Sequence, residues 1–302
     1  DILNPKIRLG SCIPSIVLFI VFLMAMQSSG TLNRLLKNTG DMALKRRARL
    51  ILSNIDPKPG ETILEVGCGD GYYLHMLSKI NSTLKLYGTD YDKGGLVAAR
   101  KNLTGKKVIL KFGDLMKKLP FGSNTFDKII MSEVAEHLPD DVRGLKEVYR
   151  VLKKGGTLCL TVPNHNYPIF WDPLNWILEH LFGIHIKSGF WAGLWNMHIR
   201  LYTPDQIQNV VKKSGFKILD MQSPTFWTIP FGHNITHFGA RLLHSGKMSK
   251  AYADSINKFN SDTNKPFLTS VYFWIVNIVD KLNDIWTPHK DWGVGVFVKA
   301  IK

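Results

Sequence analysis

The chain has 302 residues, 45% of them hydrophobic, and carries 39 Lys and Arg against 24 Asp and Glu, for a net charge of +15. That apolar content excludes a disordered chain and suffices for one large α/β domain or two small ones. The charge divides evenly, at +5 in each third, instead of forming a basic stripe for nucleic acid, and Cys12, Cys68 and Cys159 are too scattered for a disulfide framework or a metal-ligand spacing, which fits a reducing compartment.

No charged residue occurs from Leu9 to Asn33, and "IPSIVLFIVFLMAM" at 13–26 is almost wholly apolar. A spanning helix takes about 20 such residues, so this stretch is expected to attach the chain to a membrane as an anchor, an interfacial helix or a targeting segment. Lys6 and Arg8 precede it, whereas Arg34, Lys37, Lys45, Arg46, Arg47 and Arg49 follow, which would leave the rest of the chain on the cytoplasmic face. "LGSC" at 9–12 is not a lipoprotein box, because its apolar run follows the cysteine. The one tight basic cluster, "LKRRARL" at 44–50, is read first as a solvated face and second as a contact for anionic lipid or RNA.

From Gly60 the signals alternate. "TILEV" at 62–66 predicts a strand, Tyr72 to Ile80 a helix, "LKLYGTD" at 84–90 a strand, and Lys93 to Asn102 a helix. Strands follow at 107–114 and 126–132, then a helix from Asp141 to about Leu152, stopped by Gly155-Gly156, and a fifth strand at 157–163. "FKILDMQ" at 216–222 and "GVGVFVKAIK" at 293–302 are the sixth and seventh strands. Such alternation predicts a mostly parallel sheet with helices on both faces and a ligand at the strands' carboxyl ends.

The turn "EVGCGDGYY" at 65–73 lies between the first strand and the first helix, where backbone N–H groups and the helix's positive end meet a ligand. Its spacing is Gly67-x-Gly69-x-Gly71, with Tyr72 where a dinucleotide fingerprint needs its third glycine, so a nicotinamide cofactor is disfavoured. Asp90, ending the second strand, can accept from both hydroxyls of a ribose. Asp114, after the third, can accept from an adenine amino group. Neither position calls for a phosphate.

These residues resemble the class I S-adenosylmethionine-dependent methyltransferases, specifically the type 11 group with the ubiquinone and menaquinone biosynthetic enzymes. The resemblance covers about residues 60–165 through "EVGCGDG", "YGTDYD", "KFGDL", "FDKIIMSEVAEHLPD" and "VYRVLKKGGTLCLTVPN". It implies a Rossmann-like, seven-stranded, mostly parallel α/β sheet whose last strand is antiparallel. It also implies that Glu65, Gly67, Gly69 and Gly71 hold the methionine part of the cofactor, Asp90 the ribose, Tyr91 an adenine face, and Asp114 with Leu115 the adenine edge; Ser132 is counted with this set. On this reading residues 1–49 are an apolar membrane-association segment and basic linker, and 50–302 the catalytic domain. Aromatic-rich insertions fall at Asn166–Arg200 and Ser223–Trp292.

All eight tryptophans lie between residues 171 and 292, in or bordering the insertions, as a substrate lid, a membrane interface or a second small core. Within "PFLTSVYFWIVNIVDKLNDIW" at 266–286, Phe267, Val271, Trp274, Ile275, Ile278 and Leu282 share one helical face, which predicts an interfacial element or an ordinary buried helix.

For chemistry, "SEVAEHLPD" at 132–140 is expected to form a short helix that presents Glu133, Glu136 and His137 on one side, as candidate bases for a methyl acceptor. In the ubiquinone O-methyltransferases this E-x-x-E-H pattern is associated with a divalent metal, so Glu133, Glu136 and His137 are also candidate ligands; a related E-H pair recurs in methyltransferases without metal. His165, after the fifth strand, and His198 in "MHIRLYTPDQI", which resembles the family's H-x-R-x-[YF]-[ST] stretch, are secondary candidates. The expected function is methyl transfer to oxygen or carbon of an apolar acceptor such as a quinone precursor, isoprenoid or lipid. The alternatives are RNA or protein methylation, against which diffuse charge and the missing "NPPY"-type motif argue in the RNA case, and a noncatalytic, membrane-tethered cofactor-binding module.

Overall fold

The computed structural model describes residues 30–231, 250–260, 265–285 and 291–302; the apolar stretch at 13–26, with Lys6, Arg8 and Cys12, lies outside them, as does Trp286. Strands β1 (Thr62–Val66), β2 (Lys85–Asp90), β3 (Val108–Phe112), β4 (Phe126–Ser132), β5 (Leu152–Pro163), β6 (Lys217–Gln222) and β7 (Gly295–Ile301) form one sheet in the order β3-β2-β1-β4-β5-β7-β6. β7 runs antiparallel to both its neighbours, and the pairs from β3 through to β5 are parallel. This is the sheet that the strand–helix alternation predicts, and its strand order reverses between β1 and β4, where such folds bind ligands.

Alternate strand residues feed two cores. Ile130 and Phe297 enter one, while Ile129, Met131, Val296 and Val298 enter the other. Helices α1 (Met42–Ile55), α2 (Tyr72–Ile80) and α3 (Lys93–Asn102) cover the first face with Ile51, Leu74 and Leu96. On the second face α4 (Asp141–Val151) contributes Leu145 and Val148. α5 (Pro173–Phe182) belongs to the first insertion, α6 (Pro204–Lys213) returns to the sheet with Ile207 and Val211, and α7 (Lys250–Ile256) and α8 (Phe267–Ile285) belong to the second insertion. The helix starts follow local chemistry. Asp92 accepts from the N–H groups of Gly94 and Gly95, Asp140 from Arg143, and Thr203 with Gln206 forms a reciprocal capping box behind Pro204.

Two boundaries differ from the sequence reading. α4 stops at Val151 and β5 begins at Leu152, because Leu152 pairs with Phe126 across a register shift that precedes Thr157. The domain limit drawn at residue 50 falls inside α1, whose buried Ala48, Ile51 and Leu52 share a core with Leu32, Leu35 and Leu36. Full burial of a leucine such as Leu36 stabilises the fold by about 1.5–3 kcal/mol, so residues from 32 onward are part of it.

The basic cluster of α1 is engaged inside the protein. Arg46 binds Asp280 and Asp284 of α8, Lys45 reaches Asn277, and Arg47 pairs with Glu133. The tryptophans divide between roles. Trp171 and Trp195 build a third small core with Tyr167, Leu194 and Leu201, while Trp191 and Trp274 face solvent.

Candidate active site

The turn after β1 is held by its own amides. Gly67 and Cys68 donate to the Thr89 carbonyl at 2.8 and 3.0 Å, Gly69 donates to Asp90 Oδ2 at 2.7 Å, and Gly71 donates to the Cys68 carbonyl at 2.7 Å. With four donors used internally, the turn does not offer the fan of free N–H groups that a pyrophosphate demands. Gly67 and Gly69 sit at φ +68° and +47°. A Cβ on Gly69 would meet nothing within 4 Å, whereas one on Gly67 would lie 2.3 Å from Val134 Cγ2. The first glycine therefore brings the β1 turn against the β4 loop, and the second leaves an open approach to the backbone.

Around that opening the donor set suits an uncharged nucleoside. Asp90 Oδ1 accepts from Asp92 N–H at 2.7 Å and Oδ2 from Gly69, leaving each oxygen a lone pair for a ribose hydroxyl. Tyr91 follows with its ring exposed, 5.9 Å from the ring of Phe112, which pairs in register with Asp90. Asp114 accepts from Met116 N–H at 2.8 Å, and Leu115 beside it is buried. Glu65 is buried at the end of β1, where its carboxylate accepts from Leu74 N–H at 3.2 Å, and burial raises its pKa well above the usual carboxylate range. Ser132, ending β4, is linked to Tyr73 at 3.1 Å and Thr161 at 2.9 Å. These groups fit S-adenosylmethionine: a carboxylate for its ribose, an exposed aromatic ring for its adenine, and no phosphate cradle.

Beyond β4 the helix expected over 132–140 shrinks to a 3-10 turn, Ala135–His137. Glu133 precedes it at φ +55° and points toward α1, where it meets Arg47 at 2.9 Å. It therefore does not share a face with Glu136 and His137. Glu136 is fully buried, and neither of its carboxylate oxygens has a hydrogen-bond partner. Two imidazoles flank it, with His137 Nε2 and His198 Nε2 each 3.8 Å from Oε1 and the two rings 4.8 Å apart. Burial, reinforced by the negative charge of Glu133, raises the Glu136 pKa well above its ordinary value. His137 Nδ1 lies 3.1 Å from the Met197 carbonyl, which can only accept, so Nδ1 carries the proton and Nε2 is the basic nitrogen.

The H-x-R-x-Y stretch straps this loop in place. Ile199 N–H donates to the Glu136 carbonyl, Arg200 pairs with Asp141 at 3.0 Å, and the Tyr202 hydroxyl donates to the Ala135 carbonyl and to Asp141. The structure thus gathers Glu136, His137 and His198, whose ligand atoms lie within 4.8 Å of one another, a spacing that can hold a divalent ion. His165 stands apart, bound to Glu179 at 3.1 Å. The sequence reading passed over Arg47 and Tyr73, since nothing local to either residue signals a partner on the β4 loop.

Strand order, a phosphate-free glycine turn and acid–base groups at the adjoining strand end define a methyltransferase type of cofactor domain. Residues 64–160 match the family described as "Methyltransferase domain", and this part of the chain is similar to class I S-adenosylmethionine-dependent methyltransferases. It is 30% identical to cycloartenol-C-24-methyltransferase 1 of Oryza sativa subsp. japonica over 62% of this chain and 54% of that protein. It is 34% identical to demethylmenaquinone methyltransferase of Staphylococcus aureus over 40% of this chain and 51% of that protein. The chain thus spans about half the length of these relatives. The fold matches Haemonchus contortus phosphoethanolamine N-methyltransferase 2 in complex with S-adenosyl-L-methionine at a TM-score of 0.51 and 19% identity, over 84% of this chain and 52% of that one.

Proposed function

We propose that the chain transfers the methyl group of S-adenosylmethionine to an oxygen or carbon of an apolar, lipid-like acceptor, working at the cytoplasmic face of a membrane. The observation that carries this reading is the buried, unpartnered Glu136 carboxylate flanked by His137 and His198 at the end of β4, beside the Gly67 turn. When bound, S-adenosylmethionine supplies an electrophilic methyl group on a sulfonium. His137 is the more exposed imidazole of the pair and takes the acceptor's proton at Nε2. Glu136 lies against the His137 ring and orients it, with His198 on its other side. Asp90 and the glycine turn keep the cofactor in line. S-adenosylmethionine held there would supply its methyl group to the lone pair that His137 frees on the acceptor, and the electrons of the sulfur–methyl bond would return to sulfur.

An apolar acceptor is supported by the sterol- and quinone-type names of the relatives and by the exposed apolar side chains of the insertions, such as Phe182, Trp191 and Trp274. Among the described residues no helix is long and apolar enough to cross a membrane, so membrane attachment rests on residues 13–26 and on the insertions. The test is transfer of labelled methyl from S-adenosylmethionine into fractionated lipids, quinones, RNA and protein. Label in the lipid or quinone fraction is the expected result, and label confined to RNA or protein would refute the acceptor class.

A further inference from the structure

Helix α8 is turned inside out. Its buried face carries Thr269, Asp280 and Asn283 beside Phe273 and Val276. Asp280 takes the Arg46 guanidinium at 2.8 Å, Asn283 accepts from the N–H groups of Phe226 and Trp227, and the Tyr272 hydroxyl donates to the Gly40 carbonyl. The outward face is a stripe of large apolar side chains, Phe267, Val271, Trp274, Ile278, Leu282 and Ile285, at steps of three and four residues, with Phe267, Trp274 and Ile285 exposed by 79, 65 and 78%. An amphipathic helix of a water-soluble surface has the reverse polarity, because exposed apolar area opposes folding. A five-turn apolar stripe held outward by ion pairs and amide hydrogen bonds marks a contact surface.

We infer that the outward face of α8 lies on a lipid bilayer, embedded at the level where headgroups meet acyl chains. This rests on the membrane setting proposed above and assigns the element that makes the contact. Three observations favour a bilayer. The apolar stretch at 13–26 ends four residues before Gly30, where the described chain begins. The chain that follows it runs beside the start of α8, with the Lys37 carbonyl accepting from Lys265 and the Gly40 carbonyl from Tyr272. The first described residues after that stretch therefore lie beside α8. Lys281 is exposed on the late turns of α8, while the neighbouring Asp284 is paired with Arg46, so among the described residues the end of the stripe offers an uncompensated cation to anionic headgroups. Finally, exposed apolar side chains recur in the insertions, at Leu181 and Phe182 of α5 and at Trp191, whose ring contacts Phe231. A projecting helical stripe, as opposed to a groove, suits a planar fluid better than a single peptide.

The test follows Trp274 in the full-length protein, taking its emission as the difference between wild type and Trp274→Phe. With vesicles of brominated phosphatidylcholine mixed with phosphatidylglycerol, the Trp274 emission is expected to fall about two-fold, since an interfacial helix sits ~5–10 Å into the headgroup and acyl boundary. Without vesicles, aqueous acrylamide is expected to quench it freely. Emission that brominated lipid leaves unchanged would overturn the inference, whether or not the protein binds vesicles by another segment. So would shielding from acrylamide in buffer: shielding lost on dilution would identify a second copy of the chain as the occupant, and shielding that persists would identify the chain's own residues 13–26. No methyl acceptor takes part, so failure of the methyl-transfer reading leaves this result standing.

Discussion

Gly67→Ala tests the contact between the cofactor turn and the β4 loop. An alanine there must hold φ +68°, which costs an L residue about 1–2 kcal/mol. Its Cβ would also stand 2.3 Å from Val134 Cγ2, an overlap that relaxes only if the valine or its loop moves, at about 1–3 kcal/mol. The expected loss is ~2–5 kcal/mol in urea unfolding, read as a lower midpoint at unchanged slope. Val134→Ala alone trims a half-buried valine and should cost about 1 kcal/mol. In the double variant the overlap is gone while the backbone strain remains, so the pair should show a favourable coupling of about 1–3 kcal/mol. Because Val134 lies between Glu133 and Ala135, the single Gly67→Ala protein should also lose turnover beyond its loss of cofactor affinity, and Val134→Ala should restore part of it. Strict additivity of the two substitutions, within about 0.5 kcal/mol, would refute the contact.

Asp90→Ala should weaken S-adenosylmethionine binding by about 10–100-fold for each charge-assisted hydrogen bond lost, since each contributes ~1.5–3 kcal/mol; calorimetric titration decides, and tighter binding of NAD than of S-adenosylmethionine would overturn the cofactor assignment. His137→Ala should lower turnover by about 10²–10⁴-fold while cofactor affinity stays nearly constant, whereas wild-type turnover would remove His137 as the base. If EDTA abolishes activity and a divalent ion restores it, Glu136, His137 and His198 act as ligands, and indifference to EDTA leaves proton transfer as their role. His75 provides a pH test. Burial, with Lys106 and Lys79 nearby, lowers its pKa from 6.5 to about 4, so below pH 6.5 the unfolded chain takes up a proton that the folded chain refuses. Its contribution is complete above pH 6.5 and lost as pH falls toward 4, by ~3 kcal/mol in all, and an identical pH slope in His75→Gln would disprove it.

What the sequence disclosed was local. The strand–turn–helix around Gly67, the helix starting near Pro204 and the β-rich final strand depend on near neighbours or on apolar periods, whereas the antiparallel direction of that strand was implied by the family resemblance. Partners far apart in the chain left no such trace. Arg47 reads as one of four closely spaced basic residues, yet its side chain crosses to Glu133. His198 joins Glu136 only because the strap at 199–202 brings two distant loops together. The apolar period of α8 was plain, but a period reports that a helix has two faces and not which one turns inward. Here the ion pairs with Arg46 decided the orientation. The start of β5 was hidden for a related reason: Leu152 continues a helical pattern, and only pairing with Phe126 makes it a strand.

β7 has one further consequence. It lies between β5 and β6 in the sheet, yet the 72 residues from Ser223 to Val294 separate it from β6 in the chain. Among the described residues β6 pairs only with β7, so that edge of the sheet stays open until the intervening stretch has been traversed. Closure is insensitive to the length of that stretch, because doubling it adds only about 0.6 kcal/mol of loop entropy. The strands that carry the cofactor turn are laid down earlier, in β1 to β4. The part of the chain that meets the surroundings can therefore be lengthened, shortened or exchanged while the half that holds the cofactor keeps its register, so one scaffold can be refitted to new surfaces and acceptors without relearning how to bind its methyl donor.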